Sequence, residues 1–496
     1  MWSVKGSIRM ILSKLIKDIN ECFVYGHSNL KISSVVYDSR KITSGSLFVC
    51  IRGYNFDGHD YIKKAIEDGA VAIVVEELPY HYEQDDVTYI RVNDTREALA
   101  QVSAAWFDYP AKKLTVIGLT GTKGKTTTAH MIKSILEEAG HMVGMIGTIG
   151  AYIGNEKIPT KNTTPESYEL HFLFHQMVEQ GCSYVVMEVS SQALKMKRTF
   201  GIQFNYSAFL NISPDHISPN EHKDFNEYMQ CKKKLFSQCD YAIINIDADY
   251  WDEVTKDCKE VYTVSCEEQA DFMAREIENI WKPGFLGVSY KVSGSLEGEF
   301  ALNMPGAYNV QNALIASAVC NFVGVGVDQM GKALKTVSVV GRTQVIQEVA
   351  HFTTFLIDYA HNAISMESLL STLKDYNPDR LVCIFGGGGN KPAQRRFDMG
   401  KMAGKYADLS IITMDNPRYE SMESINQEIV RGINSENGIY KIIDDRKEAI
   451  EYMIDNSGRR DIVALIGKGH EEYQEVYGKK YFFSELQIIQ NYLETK

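Results

Sequence analysis

The stretch Thr120–Thr128, TGTKGKTTT, constrains this chain more than any other. An apolar run, Leu114–Leu119 (LTVIGL), precedes it, and Ala129–Ala139 follows with helical periodicity. A strand, a glycine-punctuated turn and a helix start make an anion cradle, in which backbone N–H groups and the helix N-terminus face a phosphate. In that frame Lys125 reaches the outer phosphates and the Thr126 hydroxyl sits on Mg²⁺, while Gly121, Thr122, Lys123, Gly124 and Thr127 complete the cradle. The spacing departs from the full GxxxxGK[ST] loop, because Leu119 stands five positions before Gly124. What remains is the shorter GTxGKT form. The bland alternative is a glycine-rich βα turn with solvated lysines. Strand, paired glycines, lysine and consecutive threonines together favour a site for ATP.

At 496 residues the chain is too long for one core, and three domains is the natural expectation. Hydrophobic content of 44% with 23% charged residues is ordinary globular composition. A net charge of −12 argues against a general nucleic-acid-binding surface, which should be basic. The cysteines form no CxxC pair and no metal-ligand spacing, so they read as free thiols in a reducing compartment. Met10–Ile16 is apolar, but Lys14 interrupts it and no small-residue cleavage site follows. With no apolar run near membrane-spanning length, a soluble, cytoplasmic chain is expected.

Along the chain, residues 1–112 read as a small α/β domain, 113–340 as a central parallel-sheet domain, and 341–496 as a second doubly wound, Rossmann-like domain. In the first, Val35–Tyr37 leads into Asp38-Ser39-Arg40, with Tyr61–Gly69 helical and Ala70–Val75 a buried strand. Ser39, just past a strand end, is turn chemistry on its own. In the second, apolar runs at Tyr184–Val189, Ala208–Ile212 and Tyr241–Ile246 alternate with helical stretches such as Tyr168–Gln180. Ligands gather beyond the carboxyl ends of such strands. The third restarts the rhythm at Thr354–Asp358, Leu381–Phe385, Leu409–Met414 and Asp461–Ile466, each ending in a polar or glycine-rich turn.

ATP brings Mg²⁺, which prefers oxygen ligands and keeps several waters. Thr126 and Glu188 are the protein oxygens best placed, Glu188 closing a strand expected beside the loop strand. Glu188 as a helix cap or surface partner is the alternative. His216 in SPDHIS is either a satisfied loop histidine or a ligand, and Lys232 in CKKKLF reads by itself as a solvated helix lysine.

A family resemblance joins these pieces. GTKGKTTT, NTTPE at 162–166, MEVSSQAL at 187–194, NISPDH at 211–216, PGAYNVQNAL at 305–314, GR at 341–342, DYAH at 358–361, DNPR at 415–418 and GKGHE at 467–471 stand in the order seen in the Mur ligases. DSR and LFVCIRGYNFDGHDYI in the first domain match as well. The chain most resembles those members that add the third residue of the peptidoglycan stem peptide, and the resemblance covers essentially its whole length.

The resemblance implies an ATP-dependent amide ligase acting on UDP-MurNAc-L-Ala-D-Glu through an acyl phosphate. It implies UDP near Ser39 and the Gly53–Asn55 loop, and the muramoyl dipeptide on Thr163, Thr164, Ser190 and Arg198. Lys125 and Gly124 match the phosphate cradle. Thr126, Glu188 and His216 match ligands of magnesium, of which two ions are implied. Asn309, Asn312, Arg342, Asp358 and His361 match positions near the adenosine and the domain hinge. Lys232 falls on the family's carbamylated lysine. A free ammonium would repel Mg²⁺, whereas reaction with CO₂ makes an anionic oxygen ligand. A monomer is expected.

Ser218 replaces the second Asp of DHLD, Gln192 replaces the usual His of SSHG, and Met196 replaces a polar residue near substrate. Asp415, Asn416 and Arg418 of DNPR, with Gly467 and Glu471 of GKGHE, match the pocket for the incoming diamino acid; Glu471 would hold its amino group. Arg418 suits meso-diaminopimelate, because a guanidinium clamps a distal carboxylate at two points. Lys391 stands where diaminopimelate-adding relatives carry Arg, which leaves L-lysine open. A folylpolyglutamate synthase shares the ATP domain but lacks the DSR…DGH segment. A silent Mur-like scaffold would have no need to keep Lys125, Glu188, His216 and Lys232 together.

Overall fold

The structure, a computed structural model, describes residues 9–53, 56–84, 86–215, 217–218, 221–256, 258–346 and 353–495. The chain divides into two compact units, Met1–Val264 and Ser265–Lys496.

The first unit contains two larger sheets and a short antiparallel pair, Met10–Ile11 against Lys31–Ile32. Strands β1 (Phe23–Tyr25), β2 (Ser34–Val36), β3 (Ser46–Val49), β4 (Ala70–Val75) and β5 (Thr88–Arg91) pair in the order β1-β5-β4-β3-β2, parallel except for β1. Helix α1 (Thr95–Trp106) follows, capped by Asp94, whose carboxylate accepts from Arg96 N–H and Glu97 N–H. The larger sheet comprises β6 (Thr115–Thr120), the hairpin β7 (Val143–Gly147) and β8 (Gly150–Ile153), β9 (Glu156–Ile158), β10 (Tyr184–Glu188), β11 (Phe204–Phe209), β12 (Cys239–Asn245) and β13 (Glu260–Ser265). Its order is β9-β8-β7-β10-β6-β11-β12-β13, with β7, β10, β6, β11, β12 and β13 parallel. Helices α2 (Lys125–Glu138), α3 (Ser167–Glu179), α4 (Ser191–Lys195) and α5 (Phe225–Lys233) connect these strands.

The central strands are apolar throughout because both faces are covered. Val116, Ile117, Leu119, Val185, Val186 and Met187 are inaccessible to solvent. Each such side chain contributes about 1.5–3 kcal/mol by leaving water. The parallel register sets Glu188 beside Leu119, so β6 and β10 end at the same level. Two loops therefore leave the sheet side by side.

The second unit begins with an antiparallel meander of β14 (Phe272–Lys282), β15 (Phe285–Gly294) and β16 (Gly298–Leu302). Helices α6 (Ala307–Phe322) and α7 (Val327–Thr336) follow. The remaining sheet is built from β17 (Gln344–Ile346), β18 (Thr354–Asp358), β19 (Arg380–Phe385), β20 (Leu409–Ile412), β21 (Tyr440–Ile442) and β22 (Asp461–Ile466), in the order β17-β18-β22-β19-β20-β21. All but β17 are parallel. A hairpin, β23 (Tyr473–Val476) and β24 (Lys479–Phe482), extends beyond β22. Among the described residues no helix is long and apolar enough to cross a membrane.

Candidate active site

Gly124 takes φ 86° between β6 and α2, a left-handed turn that suits glycine. The loop is pinned from the neighbouring strand end: Thr122 N–H donates to Asn211 O at 3.0 Å, and Lys123 N–H to Asn211 Oδ1 at 2.9 Å. The Lys125 ammonium folds back on its own loop, donating to Gly121 O (2.6 Å) and Thr122 O (3.2 Å).

Glu188 meets this loop at the end of β10. Its Oε1 accepts from the Thr126 hydroxyl and from Thr148 N–H, each at 2.9 Å, and its Oε2 from the Thr148 hydroxyl at 3.1 Å. Glu188 is only 2% exposed. Gly147 makes room for it, since a Cβ there would lie 2.2 Å from Glu188 Oε1. A buried carboxylate and a threonine hydroxyl in contact are the hard oxygen donors that Mg²⁺ takes. The pair fits the ion that a bound nucleotide would bring.

Lys232 is not a solvated helix lysine. Its side chain is buried against Gly121, with Nζ donating to Gly121 O at 2.9 Å and standing 4.6 Å from the Tyr228 ring centroid. Burial, followed by the neighbouring charge of Lys125, holds its ammonium well below the usual lysine range. His216 lies outside the described residues, as do Tyr54 and Asn55 of the uracil-loop expectation.

The residues expected around the muramoyl dipeptide gather beside Glu188. The Thr164 hydroxyl donates to Glu188 O (2.8 Å) and accepts from Ser190 N–H (3.1 Å). Arg198 donates to Thr164 O (2.9 Å) and to Glu166 Oε1 (2.8 Å), and the Thr163 and Thr148 hydroxyls lie 3.1 Å apart. A cavity of about 950 Å³ adjoins them, with Ser39, Tyr37, Arg96, Lys161 and Glu169 in its wall. Tyr37 donates to Glu169 Oε1 at 2.7 Å. Burial pushes both groups' proton affinities up.

In the second unit the expected adenosine and hinge residues form one chain of contacts. Asp358 accepts from Thr343 N–H and Ala360 N–H, both at 2.7 Å. Asn309 donates to Thr343 Oγ1 (3.4 Å) and accepts from Asn312 (3.3 Å). The Arg342 guanidinium lies 4.8 Å from the Tyr359 ring centroid, and His361 Nδ1 is 2.9 Å from Tyr359 O.

A third group joins the DNPR and GKGHE loops. Asn416 donates to Glu471 Oε2 at 2.9 Å, and Gly467, at φ 110°, passes 3.7 Å from Asp415 Oδ2 when given a Cβ. Arg418 donates to Gly389 O (2.9 Å) and Glu475 Oε2 (3.3 Å). Lys391 is exposed, and among the described residues its ammonium makes no hydrogen bond or ion pair. Lys468 was passed over in the sequence and stands at the centre. Fully buried, its ammonium donates to Asn416 Oδ1 (2.9 Å) and pairs with Glu471 (3.3 Å) and Asp415 (3.5 Å). The only signal for it was its place inside GKGHE. His222 was missed as well; it is buried with Nε2 2.9 Å from Ser191 Oγ.

Three family models match this chain: "Mur ligase family, catalytic domain" over residues 31–107, "Mur ligase middle domain" over 119–320, and "Mur ligase, glutamate ligase domain" over 341–469. A curated relative from Clostridium perfringens (strain 13 / Type A), named UDP-N-acetylmuramoyl-L-alanyl-D-glutamate--2,6-diaminopimelate ligase, is 40% identical over 497 residues, covering 98% of this chain and 100% of that protein. A relative of the same name from Caldanaerobacter subterraneus subsp. tengcongensis is 40% identical over 487 residues, covering 98% and 99%. A solved structure described by that name superposes with a TM-score of 0.74 at 24% identity, covering 98% of this chain and 99% of its own.

Proposed function

This chain belongs to the Mur ligase family, and we propose that it joins meso-diaminopimelate to UDP-MurNAc-L-Ala-D-Glu at the expense of ATP. It is an ATP-dependent ligase that forms a carbon–nitrogen bond. In this reading ATP phosphorylates the D-Glu γ-carboxylate, and the amine of the diamino acid then displaces phosphate. The protein's share of such chemistry is positioning and charge neutralisation.

The β6–α2 loop, Gly121–Thr127, holds the phosphates, with Lys125 turning from its loop carbonyls to the outer ones. Thr126 and Glu188 hold Mg²⁺, and His216 is assigned with them. Thr163, Thr164, Ser190 and Arg198 hold the dipeptide, and the large cavity beside Ser39 takes the uridine diphosphate. Asn309, Asn312, Arg342, Asp358 and His361 serve the adenosine side. Asp415, Asn416, Arg418, Gly467 and Glu471 form the diamino-acid pocket, with Lys391 at its rim. The functional domains are 1–112, 113–340 and 341–496.

Lys232 carries a carbamate. Only a neutral amine attacks CO₂, and a lysine enclosed against Gly121 with its ammonium disfavoured supplies one. The carbamate replaces a charge that would repel the metal with an oxygen that would bind it.

The observation that carries this reading is the Thr126–Glu188 contact at the carboxyl ends of two paired parallel strands. Phosphate release with UDP-MurNAc-L-Ala-D-Glu, ATP and Mg²⁺ tests it. Release should require the diamino acid, and equal release without one contradicts it.

A further inference from the structure

Just past the end of α4, Lys197 takes φ 55°, in the left-handed region. A helix that stops this way commonly carries glycine there, because a Cβ adds a steric cost. The turn closes through the backbone alone: Lys197 N–H donates to Leu194 O at 3.4 Å, and Arg198 N–H to Ala193 O at 2.9 Å. The main chain therefore gains nothing from a lysine.

The side chain does. Its ammonium lies between two carboxylates, 2.7 Å from Asp94 Oδ2 and 2.5 Å from Glu97 Oε1. Asp94 caps α1 and Glu97 sits in its first turn. Arg96, from the same turn, donates to Glu166 Oε2 at 3.4 Å and to Arg52 O at 3.2 Å. Glu166 is shared, since its Oε1 accepts from Arg198 at 2.8 Å. Arg96 and Glu166 both stand in the wall of the large cavity. The start of α1, which follows the smaller sheet, is thus clamped to the turn that carries Arg198, beside the larger one.

Lys197, Asp94 and Glu97 are 34%, 30% and 35% exposed. Ion pairs so open to water add little to stability, and a left-handed lysine subtracts from it. Placement is what the contact supplies. In the ligase reading the substrate is one molecule held at two ends, the uridine diphosphate beside Ser39 and the dipeptide on Thr163, Thr164, Ser190 and Arg198. Two half-sites at a fixed spacing bind a linked ligand more tightly than two that drift, because the second contact is intramolecular. We propose that Lys197 is a positioning residue, which locks the first turn of α1 to the Arg198 turn and so sets the span between the uridine and dipeptide ends of the substrate. The proposal rests on the ligase reading above and adds a residue that touches neither end.

Lys197→Gly removes the ammonium and suits the backbone, which separates function from folding. Its thermal midpoint should stay within about 2 °C of wild type. KM for UDP-MurNAc-L-Ala-D-Glu should rise about tenfold or more, a difference of about 1.4 kcal/mol, with kcat within about threefold. Inhibition by UDP alone, which fills one half-site, should change by less than about twofold. Lys197→Arg should restore most of the lost affinity. An unchanged KM overturns the proposal. So does a loss of UDP affinity equal to the rise in KM, which places the damage inside the uridine half-site. If the glycine variant does not fold, Lys197→Asn, which tolerates the same backbone, takes its place in the same comparison. Wild-type protein that turns over no UDP-linked substrate overturns the ligase reading, and this proposal with it; the other adverse outcomes overturn this proposal alone.

Discussion

The Thr126 hydroxyl donates to Glu188 Oε1 at 2.9 Å, linking the first residues of α2 to the last residue of β10. The carboxylate also accepts both hydrogen bonds of Thr148. Glu188→Gln keeps the volume and removes the charge that would hold a cation. It should lower kcat by at least about 10²-fold, an effect of about 2.7 kcal/mol, and shift the Mg²⁺ dependence to higher concentration. A Mg²⁺ titration of the phosphate-release rate measures this, and an unshifted curve contradicts the metal assignment.

Lys232→Ala should abolish measurable turnover and leave the fold intact. Added acetate should restore part of the activity by placing a carboxylate where the proposed carbamate would stand. Activity at the wild-type level would remove the role assigned to Lys232. The same substitution deletes a buried amine whose charged form is disfavoured, so the thermal midpoint should not fall as it does for an ordinary large-to-small core change.

Tyr37 donates to Glu169 across the wall of the large cavity. Tyr37→Phe leaves that half-buried carboxyl without its donor, at a cost of about 1–3 kcal/mol in stability. It should also raise KM for the UDP-linked substrate with kcat unchanged, the mark of lost ground-state binding. Urea denaturation and initial-rate kinetics read the two effects separately.

Lys468 compensates Asp415 and Glu471 from a fully buried position. Lys468→Ala strands two carboxylates and should cost about 3–5 kcal/mol. Lys468→Met should keep the packing and still weaken the affinity for the diamino acid. Denaturant midpoints for the two variants distinguish charge from volume.

His171 lies buried in α3 with neither ring nitrogen hydrogen-bonded among the described residues. Burial holds its imidazole down at about 4, below the ordinary value of about 6.5. The unfolded chain therefore binds the proton first. Stability from this site is fully present above about pH 6.5 and is lost as the pH falls toward 4, amounting to about 2 kcal/mol between neutrality and pH 5. His171→Leu should flatten that dependence in denaturant melts. An unchanged slope contradicts the assignment.

Much of the architecture was legible in the sequence because the strands are buried on both faces. Thr354–Asp358 and Asp461–Ile466 fall where the apolar runs placed them. The run at 208–212 was displaced: the strand is Phe204–Phe209, since Phe204 and Tyr206 pair in the sheet while Asn211 leaves it to bind Lys123 N–H. A polar residue inside an apolar run carried that information, and periodicity does not weigh it. Glu188 and Thr126 were legible because strand ends and the phosphate loop converge by topology. Lys468 and His222 were not, since a lysine or histidine in a polar loop looks alike whether it is solvated or enclosed. Burial of a charge is decided by residues far away in sequence, here Asp415 and Asn416 around Lys468.

The most direct measurement compares meso-diaminopimelate, L-lysine and L-ornithine side by side in ATP-dependent phosphate release with UDP-MurNAc-L-Ala-D-Glu. The account predicts release that depends on the added amino acid and a kcat/KM for meso-diaminopimelate at least about tenfold above the others, about 1.4 kcal/mol. A preference for L-lysine by the same factor, or release that ignores the amino acid, would contradict it.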